Sequence, residues 1–254
     1  MKQLIHFTLL TIAAFTFFGC GSAKELTKAI NSPEGVDKIK IKYAKIDEIP
    51  GDIEKLKDLE TLYLFKNDLK AIPEEIGQLT NLEKLIISSN SLESIPASIG
   101  NLTNLKEISF KHNNIKKIPK EIGKLKNLEK LDLSHNQLTS LPEEIGELKN
   151  LRFLYLNDNT LSILPKEIGQ LENLNYFVIG KNSLTSIPSS IGRLESLIEL
   201  DVAYSGPIIR LPESIENCNN LEYLYIDDSI ILPYSIDNVN PRLQILLKEP
   251  GRIN

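Results

Sequence analysis

A 23-residue period constrains this chain more than any other feature of its sequence. Prolines recur at positions 50, 73, 96, 119, 142, 165 and 188, and asparagines recur with the same step at 67, 90, 113, 136, 159 and 182. A unit of this size cannot bury its own apolar face, so neighbouring units must stack to share one core. The period therefore predicts an elongated solenoid rather than a compact globule.

Each unit predicts a strand followed by a short helical segment. Pairs such as Leu131 and Leu133 alternate as in a strand with one buried face. The proline at the start of each unit suits the first helical turn, because its φ is fixed and it has no N–H to leave unpaired. Glycines at 77, 100 and 123 predict a tight turn with positive φ.

The units "IPEEIGQLTNLEKLIISSNSLES" (72–94) and "IPKEIGKLKNLEKLDLSHNQLTS" (118–140) resemble bacterial leucine-rich repeat proteins. This resemblance implies an α/β repeat solenoid, a horseshoe with a parallel β-sheet on its concave face and short helical or 3-10 segments on its convex face. We expect about eight repeats over residues 49–231, an N-terminal cap with a first strand over 20–48, and a C-terminal cap over 232–254 that closes the last apolar layer.

The repeated asparagines have a predicted structural role. An amide both donates and accepts, so stacked copies can satisfy backbone groups where each chain segment leaves its strand. The resemblance identifies them as an asparagine ladder formed by Asn67, Asn90, Asn113, Asn136, Asn159 and Asn182.

The N-terminus has the pattern of a secretory signal. Lys2 precedes an apolar run from Leu4 to Phe18, which would reach only about 22 Å as a helix, against roughly 30 Å for a bilayer core. We therefore interpret residues 1–19 as a signal peptide and not as a lasting span. Gly19-Cys20 resembles a lipobox, which implies lipidation of Cys20.

Two features bear on processing and location. Ordinary cleavage near Ser22, which would discard Cys20, is the alternative to lipidation. Gly21 after the cysteine favours the outer membrane by resemblance to lipoprotein sorting signals. The expected location is the bacterial cell envelope, and whether the protein would face the periplasm or the exterior stays open.

The aromatic side chains concentrate at strand positions that point outward, which the resemblance places on the concave face. Twelve aromatic residues follow position 19, and nine occupy these columns. Aromatics favour strands in general, but the middle repeats carry Glu107, Ser109, Lys130 and Asp132 there instead. The pattern thus predicts a contact patch of the kind that binds partners. The candidate partner-binding residues are Tyr63, Phe65, Phe153, Tyr155, Tyr176, Asp201, Tyr204, Tyr223, Tyr225 and Asp227.

Other chemistries have weaker support in the sequence. The net charge of −5 does not favour a nucleic-acid partner. No nucleophile turn, phosphate loop or HExxH motif occurs, so we predict neither catalysis nor a cofactor. His112 and His135 share one column in adjacent repeats and are weak candidates for a metal site, since a third ligand is not assured. Cys218 stands where other repeats have a core leucine, and we expect a buried free thiol.

Three functional hypotheses follow. The first is a lipid-anchored extracytoplasmic protein that holds a protein or peptide on its concave face. The second is the same scaffold binding a glycan, because tyrosine and aspartate suit sugar rings. The third is a structural component of the envelope without a discrete ligand.

Overall fold

The computed structural model describes residues 16–19 and 23–249, with side chains described from Lys24 onward. Its strands, in chain order, are β1 (Thr16–Gly19), β2 (Lys38–Lys42), β3 (Thr61–Phe65), β4 (Lys84–Ile86), β5 (Glu107–Ser109), β6 (Lys130–Asp132), β7 (Phe153–Tyr155), β8 (Tyr176–Val178), β9 (Glu199–Asp201), β10 (Ile209–Arg210), β11 (Tyr223–Ile226), β12 (Ile230–Ile231) and β13 (Gln244–Leu247). Eleven of them form one parallel sheet in the order of the chain, while β10 and β12 pair separately. The predicted solenoid with a parallel sheet is therefore confirmed.

The other side of the solenoid is built from short helices. One α-helix, α1 (Ala23–Asn31), precedes the repeats. The 3-10 helices of the described chain are Gly51–Lys55, Glu74–Gln78, Ala97–Asn101, Lys120–Lys124, Glu143–Glu147, Lys166–Gln170, Ser189–Arg193, Glu213–Asn217 and Tyr234–Asn238. Each follows a proline that has extended geometry, such as Pro119 with φ −68° and ψ 146°. Proline suits this position because it has no N–H that would need a partner at the start of the helix.

The core is a stack of similar apolar layers. Strand residues such as Leu131 and Leu154 and helix residues such as Ile122 and Ile145 have no exposed surface. The strand register places Leu131 beside Leu154 and Leu154 beside Phe177. Each layer therefore buries the apolar face of the one before it, as the repeat pattern predicts.

The repeated glycines have a different reason from the one predicted. Among the described glycines, only Gly35 has positive φ, so the expectation of left-handed turns at 77, 100 and 123 is wrong. A Cβ on Gly100 would lie 2.7 Å from the backbone oxygen of Glu121 in the next repeat. Glycine is required there because successive helical segments approach too closely for any side chain.

Left-handed backbone occurs instead at the residue before each of the six ladder asparagines, at Tyr204 before Ser205, which replaces the asparagine, and at Tyr43 and Lys45 in the first repeat. Lys66, Ser89, His112, His135, Asp158, Lys181 and Tyr204 have φ between 53° and 58°. These residues are not glycines, so the turn leaves no glycine signal in the sequence.

The six predicted ladder asparagines bond backbone groups of adjacent repeats. In the central example, Asn136 Oδ1 accepts from the N–H of Ile115 at 3.0 Å, and its Nδ2 donates to the carbonyls of Phe110 and Leu133. Asn113 and Asn159 make equivalent bonds one repeat to either side. The amides thus satisfy buried backbone groups that have no strand partner.

A second row of asparagines runs along the opposite end of the strands. Asn127 Nδ2 donates to the carbonyl of Thr103 at 2.9 Å, and Asn150 donates likewise to Lys126. The row consists of Asn81, Asn104, Asn127, Asn150, Asn173 and Asn220. The first five repeat with the same 23-residue step. This period is a sequence signal for the row, although the sequence analysis did not predict it.

The two ends of the solenoid differ. At the N-terminal end, α1 buries Leu26, Ala29 and Ile30 against the first repeat, and β1 pairs parallel with β2. At the C-terminal end, β13 covers the layer formed by β11, but Ile245 and Leu247 on β13 remain exposed. The described part of the cap thus covers the apolar layer of β11, in which Leu221 and Leu224 are fully buried, while Ile245 and Leu247 have no further layer over them in the described chain.

Several expectations concern residues beyond this description. Cys20 lies outside the described residues, as do residues 1–15 and 250–254, so the lipidation and cleavage predictions stay predictions. Within the described ranges, no helix has the length and apolar character needed to span a bilayer.

Candidate functional site: the concave face

The strand register aligns outward side chains in columns, as predicted. One column contains Thr61, Lys84, Glu107, Lys130, Phe153, Tyr176, Glu199 and Tyr223, and the next contains Tyr63, Ile86, Ser109, Asp132, Tyr155, Val178, Asp201 and Tyr225. Adjacent strands lie about 4.8 Å apart, so each column is a continuous strip of side chains.

The C-terminal half of these columns forms an aromatic cluster. We call Phe153, Tyr155, Tyr176, Tyr223 and Tyr225 the C-terminal aromatic patch; each is partly exposed. The rings of Phe153 and Tyr176 stack with centroids 5.0 Å apart and planes 9° from parallel. Partial burial, followed by the negative charge of Glu199, raises the pKa of Tyr155. Its hydroxyl therefore remains a neutral donor at physiological pH.

A lysine from the C-terminal segment covers part of this patch. Lys248 Nζ lies 2.5 Å from Asp201 Oδ2 and 4.8 Å from the centre of the Tyr225 ring, and its carbonyl accepts from the Tyr204 hydroxyl at 2.8 Å. Asp201 is consequently only 5% exposed. The expectation that Asp201 is exposed is therefore wrong, because Lys248 of the same chain pairs with its carboxylate.

Asp227 is also used internally. Its Oδ1 accepts from the Ser229 hydroxyl at 2.8 Å and from the Ser229 N–H at 3.3 Å, and the residue is 7% exposed. The two candidate aspartates, Asp201 and Asp227, are thus mostly withdrawn from solvent, while the neighbouring Asp228 is exposed. Neither Asp201 nor Asp227 has the free carboxylate that a direct contact with a ligand would need.

A second aromatic cluster lies at the N-terminal end of the face and is basic. Tyr43 and Phe65 meet edge to face with centroids 5.9 Å apart, and Tyr63 lies 6.1 Å from Phe65. Lys42 Nζ is 5.1 Å from the Tyr63 ring, and Lys66 Nζ is 5.4 Å from the Tyr43 ring. The C-terminal aromatic patch also has cations beside its rings, Arg152 at 5.8 Å from Phe153 and Lys248 at 4.8 Å from Tyr225, but there Lys248 is paired with Asp201.

Between the clusters the face is charged. Glu107 bonds Lys84 at 3.1 Å and Lys130 at 3.2 Å. Partial burial would raise the pKa of Glu107, but the two lysines outweigh it and the pKa is lowered. Ser88 and Ser109 bond each other and are buried, so this region offers ion pairs and little apolar surface.

The two histidines are adjacent, as the columns predict. Their rings stack with centroids 4.0 Å apart and planes at 19°, and His135 Nε2 lies 3.6 Å from Asp158 Oδ2. Burial and the charge of His135 lower the pKa of His112. Among the described residues no group of three or more histidine, cysteine, aspartate or glutamate side chains is arranged to hold a metal ion.

Two further features lie away from the concave columns. A polar groove of about 600 Å³ runs along the second asparagine row and includes Lys106, Glu129 and Arg152 beside Asn127 and Asn150. Its asparagines are already bonded to backbone carbonyls. Cys218 is a buried free thiol, as expected, and burial raises its pKa to about 12. Because the thiolate is the reactive form, this cysteine is not a nucleophile near neutral pH.

The fold and the repeat pattern together define a leucine-rich repeat domain. The family described as "Leucine-rich repeat region" matches residues 38–114 and 109–179, and the chain belongs to this family. Among curated proteins, none matches the sequence significantly.

Solved leucine-rich repeat structures are similar to this chain. The PEPR1–AtPEP1 complex is 28% identical over 86% of this chain, with a TM-score of 0.74. The Arabidopsis receptor kinase HAESA, solved with the peptide hormone IDA and the co-receptor SERK1, is 29% identical over 86% with a TM-score of 0.69. The ectodomain of the Arabidopsis thaliana receptor kinase GASSHO1/SCHENGEN3, solved with CASPARIAN STRIP INTEGRITY FACTOR 2, is 32% identical over 77% with a TM-score of 0.57. This chain spans only 32%, 38% and 27% of those three chains, respectively.

Proposed function

We propose that this protein recognises a protein or peptide partner through its concave face, with the C-terminal aromatic patch as the principal contact. One observation carries the proposal: the same register columns hold ion-paired residues in the middle repeats and stacked, partly exposed aromatic rings in the later ones. Rigid aromatic side chains provide contact area at a low cost in conformational entropy and are frequent at binding hot spots.

The similar receptor ectodomains support recognition of a polypeptide. HAESA is solved with a peptide hormone, and its repeats superpose on most of this chain. An extended peptide suits a shallow, continuous strip of side chains better than a small molecule does, because small ligands are mostly held in enclosed pockets. Tyr155 and its neighbours would then supply apolar surface together with hydroxyl donors.

We further propose that the mature protein is anchored through a lipid on Cys20 in the bacterial cell envelope, at the outer membrane. The support is the apolar run that ends at Gly19-Cys20. Cleavage before Cys20 would remove β1 and leave β2 as the first strand of the sheet in the mature protein. Metabolic labelling with a palmitate analogue, followed by detergent phase partition, tests the anchor. Label and detergent partition in the wild type, and neither in Cys20→Ser, are expected. Label retained by Cys20→Ser would refute the anchor without touching the concave-face proposal.

The binding proposal is tested by capture with immobilised protein. The bait is the full chain in a mild non-ionic detergent, compared with a Tyr155→Ser/Tyr176→Ser/Tyr225→Ser variant. The preys are bacterial envelope extract and, separately, extracellular matrix. The matched control is Ile163→Ser/Ile208→Ser/Tyr234→Ser, which removes three exposed apolar side chains outside the concave columns. Circular dichroism establishes equal folding of all three.

The expected result is a protein band that the wild type and the control retain and the tyrosine variant loses. Loss of that band on addition of soluble oligosaccharides would assign the ligand to glycans instead. Equal bands for all three baits would contradict recognition through the C-terminal aromatic patch and favour an assembly role that uses another surface.

A further inference from the structure

The exposed apolar side chains concentrate at the C-terminal end of the solenoid. At the N-terminal end, α1 buries its apolar residues against the first repeat. Most of the large exposed hydrophobic residues in the described chain lie instead at the other end, namely Ile208, Ile231, Tyr234, Ile245 and Leu247. Exposed apolar clusters in a soluble domain indicate an interaction surface.

Two of these residues occupy core positions without a neighbouring layer. The register of β13 places Ile245 beside Leu224 and Leu247 beside Ile226, and both residues of β11 belong to the apolar core. Ile245 and Leu247 are nevertheless 41% and 60% exposed. Their side chains therefore lie on the core side of the sheet, but the described part of the chain has no further repeat that covers them.

Some backbone groups of β13 have no strand partner in the described part of the chain. The N–H of Gln244 donates to Glu222, and the N–H of Lys248 donates to Ile226. Because backbone groups alternate in direction along a strand, those of Ile245 and Leu247 point away from β11. Among the described residues, β13 is the last strand of the sheet, and an apolar edge that lacks a strand partner is a template for another strand.

We propose that two copies of this chain associate through antiparallel pairing of their β13 strands, around a two-fold axis that passes beside Leu246. In this register, Ile245 of one copy faces Leu247 of the other, so the outward backbone groups of both residues meet as hydrogen-bonded pairs. The exposed core side chains of both copies then come together, and the two apolar interiors become continuous.

This register is favoured over the two neighbouring ones that use the same outward backbone groups, since pairing centred on Leu247 would place the apolar Ile245 opposite the charged Glu249. Pairing centred on Leu246 places Lys248 opposite Gln244 of the second copy. The alternative centred on Ile245 would place Lys248 opposite Arg242, and like charges directly opposite are destabilising. The edge is thus complementary to itself, which is the requirement of a two-fold interface.

The proposed dimer has a consequence for the concave face. A two-fold axis perpendicular to the sheet keeps both concave faces on the same side. Because Tyr223 and Tyr225 lie on β11, next to β13, the C-terminal aromatic patches of the two copies flank the axis. The dimer would present two neighbouring binding surfaces instead of one.

Cysteine cross-linking tests the register. Leu246 faces itself across the axis in a non-hydrogen-bonded pair, where the Cα atoms are about 4.5 Å apart, a distance that a disulfide can span. The full chain carrying Cys20→Ser and Leu246→Cys is oxidised in detergent. We expect a covalent dimer on a non-reducing gel. Ile208→Cys, which is exposed and lies next to β10, outside the eleven-stranded sheet, is expected to stay monomeric. Cys218 is buried and does not contribute.

Light scattering in detergent measures the mass of the assembly independently. The wild type is expected at twice the monomer mass, Ile245→Lys/Leu247→Lys at the monomer mass, and the control Ile163→Lys at twice the monomer mass. A monomeric wild type at about 100 μM, or equal cross-linking of Leu246→Cys and Ile208→Cys, would overturn the proposal. If the double lysine variant fails to fold by circular dichroism, the cross-linking pair decides the question.

Discussion

The interior columns and the concave columns of this solenoid have the same 23-residue register. The interior columns repeat the same residue types, whereas the residue types of the concave columns change along the chain. Inside, leucine or isoleucine recurs in layer after layer and the ladder asparagine makes the same bonds each time. On the concave face, the residue type changes from ion pairs in β4–β6 to stacked aromatics in β7 and β8. The regular columns hold the fold together, and the irregular ones are free to differ because their side chains need no partner in every layer.

This contrast explains which substitutions should affect stability and which should affect binding. A change inside a layer removes contacts with both neighbouring layers, and the close-packed core cannot compensate fully. A change on the concave face removes only contacts with side chains of the neighbouring strands and leaves the core packing intact. The two kinds of column can therefore be separated by experiment, beginning with the largest expected effect.

The largest effect is expected from truncation in a core layer. Leu154 is fully buried between Leu131 and Phe177. Leu154→Ala should lower the free energy of unfolding by about 2–5 kcal/mol, because it removes apolar burial and leaves a cavity. Urea denaturation measures the change, and Tyr155→Ser on the same strand is the concave-face control. An equal decrease in the free energy of unfolding for the two variants would contradict the assignment of stability to the interior columns.

Removal of a ladder amide should have the next largest effect. Asn136→Ala leaves the N–H of Ile115 and the carbonyls of Phe110 and Leu133 without their partner. Stranding buried backbone groups should cost about 1–3 kcal/mol. An unchanged urea midpoint would show that these bonds are dispensable.

Removal of the stacked ring pair should have a small effect on stability. Phe153→Ala breaks the contact with Tyr176, and a cross-strand pair of this kind contributes roughly 0.2–1 kcal/mol. The same variant should lose most of the partner captured by the wild type. A large drop in the urea midpoint with intact capture would reverse the roles that we assign to this column.

The smallest effect is a dependence of stability on pH at the histidine pair. The folded-state pKa of His112 is lowered, so the unfolded chain takes up its proton more readily. Stability should therefore fall slightly as the pH decreases below the ordinary histidine pKa of about 6.5. His112→Gln should reduce this fall when urea midpoints at pH 7.5 and 5.5 are compared. A variant with the full wild-type pH dependence would contradict the assignment.

Much of the fold could be predicted because a period is a global signal. The spacing of leucines and asparagines was enough to place the strands, the core layers and the outward columns. The reason for the repeated glycines was harder to find, since Gly100 is required by Glu121 of the next repeat and not by its own φ.

The candidate site was predictable only in part. Phe153 and Tyr176 were aligned by the period, and they stack as neighbours. The burial of Asp201 was not predictable, because its partner Lys248 lies after the last repeat, where the period gives no alignment. Contacts that cross from the irregular end of the chain onto the regular columns leave no local pattern in the sequence.

The most direct test of the central claim is a position-specific photo-cross-link from the concave face. A benzoylphenylalanine at position 155 replaces a tyrosine of the C-terminal aromatic patch, and one at position 163 replaces an exposed isoleucine outside the concave columns. Both proteins are irradiated with the prey that the wild type captures. We predict a covalent adduct from position 155 and none from position 163. An adduct from position 163 alone would place the partner off the concave face and contradict the account.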